Sequence, residues 1–148
     1  MSKEEYFNQL KDLINQSPYY QLLGMEVKKV GDGESRLQMA FKKELTHPYG
    51  SVHGGAIASL ADSAVALALL SLVEPQHMIT TLEFKINYFA PVNQGRIIAH
   101  AKILHKGSRT AVGDVNITNE KGEVVAKVMS TYSIKRAEDD QPVMPKTK

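Results

Sequence analysis

Apolar residues recur at two different periods along this chain, and the change of period divides it into elements. Phe7, Leu10, Leu13 and Ile14 fall at helical spacing and predict an amphipathic helix over 3–16, stopped by Ser17-Pro18. Residues 19–23 predict a second short turn, closed by Gly24. Two strands follow, 25–30 and 35–41, around the hairpin signal Gly31-Asp32-Gly33. Residues 42–52, with Pro48 and Gly50, read as a loop. A long helix is predicted over 54–73, ended near Glu74-Pro75. Beyond Pro75 the period becomes two: Leu82, Phe84, Ile86 and Tyr88 alternate with Thr81, Glu83, Lys85 and Asn87. Ile97, Ala99, Ala101 and Ile103 alternate in the same way, and two further strands are predicted over 109–118 and 123–134. Four long strands in succession, joined by short connections, predict an antiparallel meander.

Segregated helices and strands indicate an α+β fold. The helix over 54–73 is apolar nearly all round, so it must be covered on most sides. A strongly curved sheet wrapped around it satisfies that need. Alanines at 56, 58, 61, 64, 66 and 68 keep the helix thin enough for close approach. One domain is expected over 1–136, and the polar residues 137–148, with two prolines, are expected to be a disordered tail.

Composition narrows the function classes. The chain has 148 residues, enough for one domain with a sizeable core. The net charge is only +2, and no basic stripe interleaves with aromatics, so no nucleic-acid partner is expected. There is no cysteine, which removes disulfides, thiolate metal sites and cysteine nucleophiles and fits a reducing cytoplasm. The start, S-K-E-E-Y-F-N-Q-L, lacks the apolar run of a signal peptide, and the longest apolar run, 64–70, is far short of a membrane span.

The chemistry concentrates in V-H-G-G-A-I-A-S-L-A-D, where His53-Gly54-Gly55 opens the long apolar helix and Asp62 is its one carboxylate. Backbone N–H groups at a helix start are free to bind a developing negative oxygen. A lone charge on an apolar helix is costly unless paired or used. The helical neighbours of Asp62 are Ala58, Ser59, Val65 and Ala66, none of them a cation. An H-G-G turn by itself is also compatible with a purely structural role. Gly54 and Asp62 are eight residues apart, roughly 12 Å along one helix. Both cannot contact one carbonyl from the same chain. If both act on one substrate, an antiparallel helix pair in a two-fold dimer must bring Gly54 of one chain to Asp62 of the other.

These residues resemble the hotdog-fold acyl-CoA thioesterases, of the phenylacetic-acid-degradation type within the 4-hydroxybenzoyl-CoA thioesterase superfamily. The similarity spans about residues 18 to 135: P-Y-Y-Q-L-L-G-M at 18–25, P-Y-G-S-V-H-G-G at 48–55, A-D-S-A at 61–64, T-T-L-E-F-K-I-N-Y-F-A-P at 80–91 and K-G-S-R-T-A-V at 106–112. The resemblance implies a five- or six-stranded sheet around the central helix and hydrolysis of an acyl-CoA thioester by a homodimer, often paired into a dimer of dimers. It implies that Asp62 is the nucleophile or general base and that the Gly54 amide, beside Gly55, is the oxyanion donor. His53 matches the histidine that orders the turn, and Thr81 matches a hydroxyl that helps hold the attacking water. Family members often carry asparagine six residues before the histidine of the turn; here that position is His47.

Coenzyme A carries phosphates, which call for cations. Lys106, Gly107, Ser108 and Arg109 form a turn that offers backbone amides and two charges, although a solvated charged hairpin reads the same way. No cofactor is expected, coenzyme A being part of the substrate, and no metal: His77, His100 and His105 have no carboxylate at ligand spacing. Two alternatives remain from sequence alone, a non-catalytic acyl-CoA-binding protein and a hydratase or dehydratase of acyl thioesters on the same fold, with His53 and Asp62 moving the proton. The acyl group is left open between aromatic, short-chain and medium-chain.

Overall fold

The computed structural model describes residues 1–138; the predicted tail therefore lies, from residue 139 on, outside the described residues. Ala137 itself is held by a hydrogen bond from its N–H to the Gln76 carbonyl (2.9 Å). Helix α1 (Lys3–Asn15) starts with a capping box: the Glu5 N–H donates to Ser2 Oγ (3.1 Å) and the Ser2 N–H to the Glu5 carboxylate (2.6 Å). Helix α2 (Pro18–Leu23) leads into strand β1 (Met25–Gly31), which turns back as β2 (Glu34–Ala40). Asp32 and Gly33 both have positive φ, 50° and 79°, as a two-residue type I′ turn requires.

The central helix α3 (Gly54–Leu70) is followed by β3 (His77–Tyr88), β4 (Arg96–Lys106), β5 (Thr110–Thr118) and β6 (Val124–Arg136). Together the six strands form one antiparallel sheet in the order β1-β2-β4-β5-β6-β3. Only β4-β5-β6 is a meander. Strand β3 pairs with β6, not with β4, so the expectation of a four-strand meander is corrected: alternation identifies strands but not their neighbours. Helix α3 touches strands from both ends of this order, β1 and β2 as well as β6 and β3, so the sheet wraps the helix.

Nine residues of α3 are buried, among them Leu60, Ala61, Ala64, Val65 and Ala68. The approach is close. A Cβ on Gly113 of β5 would stand 2.8 Å from Val65 Cγ1, so glycine there lets strand and helix touch. The helix ends three residues earlier than expected, at Leu70. The Ser71 hydroxyl donates to the Ala68 carbonyl (2.7 Å) and accepts from the Gly33 N–H (2.8 Å), which ties the helix end to the hairpin.

A bulge between Thr81 and Glu83 changes the phase of β3. Leu82, expected on the same face as Phe84 and Ile86, is instead 60% exposed, and Thr81 takes the inward place. The Ser130 hydroxyl donates to the Glu83 carbonyl at the bulge (3.0 Å). This local irregularity brings Thr81 to α3.

Candidate active site

The start of α3 is pinned from outside the helix. The His53 N–H donates to the Leu45 carbonyl (2.7 Å) and the Val52 N–H to the Val92 carbonyl (2.8 Å). His53 is the N-cap: its Nδ1 accepts the Gly55 N–H (2.8 Å). Glycine at 55 leaves room for this ring position, since a Cβ there would lie 3.0 Å from His53 Nδ1, a tight contact. With the Gly55 amide so engaged, the Gly54 N–H is left without a protein acceptor among the described residues. It is thus the donor available at the positive end of a 17-residue helix. The Tyr88 hydroxyl donates to the Gly54 carbonyl (2.6 Å), and its ring lies against the Gly54 Cα, where a Cβ would come within 2.9 Å of it. Burial raises the Tyr88 phenol above its ordinary value, which keeps it a donor.

Two clefts flank this helix start. One, of about 410 Å³, is lined by His47, Val52, Gly54, Ile57, Tyr88 and Phe89 among others. The other, of about 250 Å³, includes Tyr19, Leu23, His53, Gly55 and Ser59. The Tyr19 and Ser59 hydroxyls are hydrogen-bonded (2.6 Å), and Ser59 Oγ donates to the Gly55 carbonyl (2.9 Å). His47 holds its own turn: its Nδ1 accepts the Tyr49 N–H (3.1 Å), and its carbonyl accepts the Gly50 N–H (2.9 Å).

Asp62 lies two turns further along α3 and is partly buried. Thr81 Oγ1 donates to Asp62 Oδ1 (2.9 Å). The Tyr132 hydroxyl donates to the same Oδ1 and lies 2.8 Å from the Asp62 backbone carbonyl. Among the described residues no lysine, arginine or histidine is ion-paired with Asp62. Its carboxylate is therefore held by hydroxyl donors and not neutralised by a cation. Burial, then the hydrogen bond to Asp62, push the Tyr132 phenol well above its usual range. Tyr20 is likewise raised, first by burial and further by the Asp62 charge, with the Ser63 hydroxyl offsetting part of it.

The residues singled out from sequence thus fall into two groups on one helix. His47, His53, Gly54 and Gly55 gather at its start; Asp62 and Thr81 meet two turns on. The turn 106–109 lies beyond the second group. In register, Lys106 pairs with Ala111, Ala111 with Tyr132 and Tyr132 with Thr81, one row across the sheet. The Gly107 N–H donates to the Thr110 carbonyl (2.8 Å), so that amide holds the turn itself, while the Lys106 and Arg109 side chains are exposed. Sequence reasoning missed Tyr132 and Tyr88. Tyr132 had a usable signal: it stands in the alternation Val128-Ser130-Tyr132-Ile134, a phenol on an inward face that has to find a partner. Among the described residues no three His, Asp or Glu side chains gather as a metal site requires.

Comparison with known proteins shows the family to which this fold belongs. A family model described as the thioesterase superfamily matches residues 49–126. The 1,4-dihydroxy-2-naphthoyl-CoA hydrolase of Escherichia coli (strain K12) is 30% identical over 112 residues, covering 76% of this chain and 82% of the hydrolase. A solved thioesterase variant from Staphylococcus aureus subsp. aureus Mu50 is 28% identical with a TM-score of 0.78, covering 80% of this chain and 99% of its own. A solved variant of a phenylacetic acid degradation protein from Thermus thermophilus is 30% identical with a TM-score of 0.73, covering 79% of this chain and 98% of its own.

Proposed function

The chain belongs to the thioesterase superfamily and is a thioester hydrolase; from that premise we propose that it cleaves acyl-CoA to free acid and coenzyme A at sites shared between two chains. The observation that carries this reading is the division of labour along α3. A free Gly54 amide stands at one level, and roughly 12 Å away stands an unneutralised carboxylate held by hydroxyls. Two antiparallel copies of the helix about a two-fold axis bring each amide to the other chain's carboxylate.

In this reaction the Gly54 N–H stabilises the oxyanion as the thioester carbonyl becomes tetrahedral, an effect on the order of 3 kcal/mol. Asp62 attacks the carbonyl carbon directly or takes a proton from an attacking water. The tetrahedral intermediate collapses with cleavage of the C–S bond. Coenzyme A leaves as a thiolate and is then protonated, so no strong general acid is required. On the direct path, water hydrolyses the resulting anhydride. Thr81, on Asp62, is placed to orient that water, and Lys106 and Arg109 supply charge for the coenzyme A phosphates. His47 stands on the cleft beside Gly54 in the place of an amide side chain. No resident cofactor is needed, because thioester carbonyls are already reactive toward nucleophiles.

Two features favour the hydrolase over its alternatives. His53 Nδ1 accepts the Gly55 N–H, so in the neutral ring the proton sits on Nε2 and no free basic nitrogen remains to abstract a proton as a hydratase would need. An acyl-CoA binder without chemistry has no use for an unneutralised Asp62. The test is thiol release from a panel of aromatic, short-chain and medium-chain acyl-CoA substrates. Asp62→Asn is expected to keep the assembly and lose about 10²–10⁴-fold in turnover. Substantial hydrolysis by folded Asp62→Asn protein removes Asp62 from the mechanism, and no release by wild type on any substrate points to the binder.

A further inference from the structure

Asp62 has two carboxylate oxygens, and the protein treats them differently. Thr81 Oγ1 donates to Oδ1, and so does the Tyr132 hydroxyl. Among the described residues no hydrogen bond reaches Oδ2. Tyr132 also lies 2.8 Å from the backbone carbonyl of Asp62, so a single phenol touches the main chain and the side chain of one residue. That clasp fixes the Asp62 side-chain rotamer on a helix face whose other residues, Ala58, Ser59, Val65 and Ala66, bring it no charge.

The arrangement depends on the sheet. Tyr132 is 2% exposed, on β6, in register with Ala111 on one side and Thr81 on the other. Without the bulge at Leu82, leucine and not Thr81 would face the helix beside it. A phenol this buried needs an acceptor, and both acceptors within its reach, the backbone carbonyl and the carboxylate, belong to Asp62.

We infer that Tyr132 is a positioning residue that clasps Asp62 through Oδ1 and thereby presents Oδ2 as the oxygen that attacks or takes the proton. The inference rests on the thioesterase reading above and adds to it which oxygen reacts and what aims it. With its pKa raised by burial and by Asp62, the phenol stays protonated, and so remains a donor, wherever the carboxylate is charged. Tyr132 makes no contact with substrate in this account. Its effect passes through the orientation of Asp62, and mispositioning of a reacting group is a large term in catalysis.

The test is Tyr132→Phe, which removes one oxygen from a buried ring, measured by thiol release alone and in an Asp62→Asn background. The expected result is a kcat lower by about 10- to 100-fold with KM unchanged, and no further loss when Asp62→Asn is already present. A wild-type kcat in a folded Tyr132→Phe protein overturns the inference and leaves the hydrolase standing. An equal further loss in the Asp62→Asn background also overturns it, since the effect then does not pass through Asp62. Full activity of Asp62→Asn itself, by contrast, takes down the underlying reading. If Tyr132→Phe does not fold, 3-fluorotyrosine at 132 keeps the ring and strengthens the donor, which draws negative charge off the Asp62 carboxylate and weakens it as base or nucleophile. A kcat lowered several-fold at constant KM then supports the clasp, and an unmoved kcat contradicts it.

Discussion

The two edges of the sheet are finished in opposite ways. At the β1 edge, helix α1 lies alongside, and its last residue completes the pairing: Asn15 Oδ1 accepts the Val27 N–H (2.7 Å), and Asn15 Nδ2 donates to the Val27 carbonyl (3.4 Å). The amide side chain stands in for a neighbouring strand, and a register shift at Lys28 interrupts the rest of that edge. At the other end β3 is the longer strand, twelve residues, and has a partner on one side only. Leu82, Tyr88 and Phe89 are 60%, 48% and 62% exposed along and just beyond it. An edge of this length left without a partner strand is a template on which another chain can pair. The open edge also supports the candidate site: β3 carries Thr81, which donates to Asp62, and Tyr88, which donates to the Gly54 carbonyl.

The larger effect is expected from disturbing the open edge. Leu82→Lys puts a charge where a second copy is expected to seat, so the protein should become monomeric by sedimentation and lose about 10²-fold or more in thiol release, because neither shared site can form. Full activity in a monomer would break the link between the β3 edge and catalysis. The smaller effect is expected at the closed edge. Asn15→Ala leaves the Val27 N–H and carbonyl without their side-chain partner, and should cost about 1 kcal/mol in denaturant unfolding with turnover unchanged. If Asn15→Ala impaired turnover while stability held, the two edges would not have the separate roles assigned to them.

Much of this molecule is legible in its sequence because local physics dictates it. The amphipathic α1, the glycine-rich β1–β2 turn and the all-round apolar α3 each follow from residues within a few positions of one another. Gly54 and Asp62 stood out as candidates for the same reason: a helix start and a lone carboxylate are local features. What stayed hidden depends on which distant strands meet. The place of β3 beside β6 cannot be read from its alternation. The bulge at Leu82 is a one-residue irregularity that reverses which side chains face inward, and so the contact from Thr81 to Asp62 could not be derived from the pattern of β3. Tyr132 is seventy residues from Asp62 in sequence, and only the sheet register brings them together. The amide of Gly55, expected beside that of Gly54, proved to be occupied by a histidine ring two residues before it.

The account turns on a site built from two chains, and subunit mixing tests it most directly. Gly54→Pro removes the amide proton at a first helical position, where proline is well accepted and His53 already has the extended ψ of 135° that proline requires of its predecessor. The neighbour that the new Cβ would meet is the end of the Tyr88 side chain, which is 48% exposed and has solvent to turn into. Gly54→Pro and Asp62→Asn proteins, each inactive alone, are unfolded together and refolded at equal concentration. If each site joins Gly54 of one chain to Asp62 of the other, every mixed dimer regains one intact site, and the mixture recovers about a quarter of wild-type activity. If both groups act within one chain, every site in every dimer is defective, and no recovery in demonstrably mixed dimers would contradict the shared site.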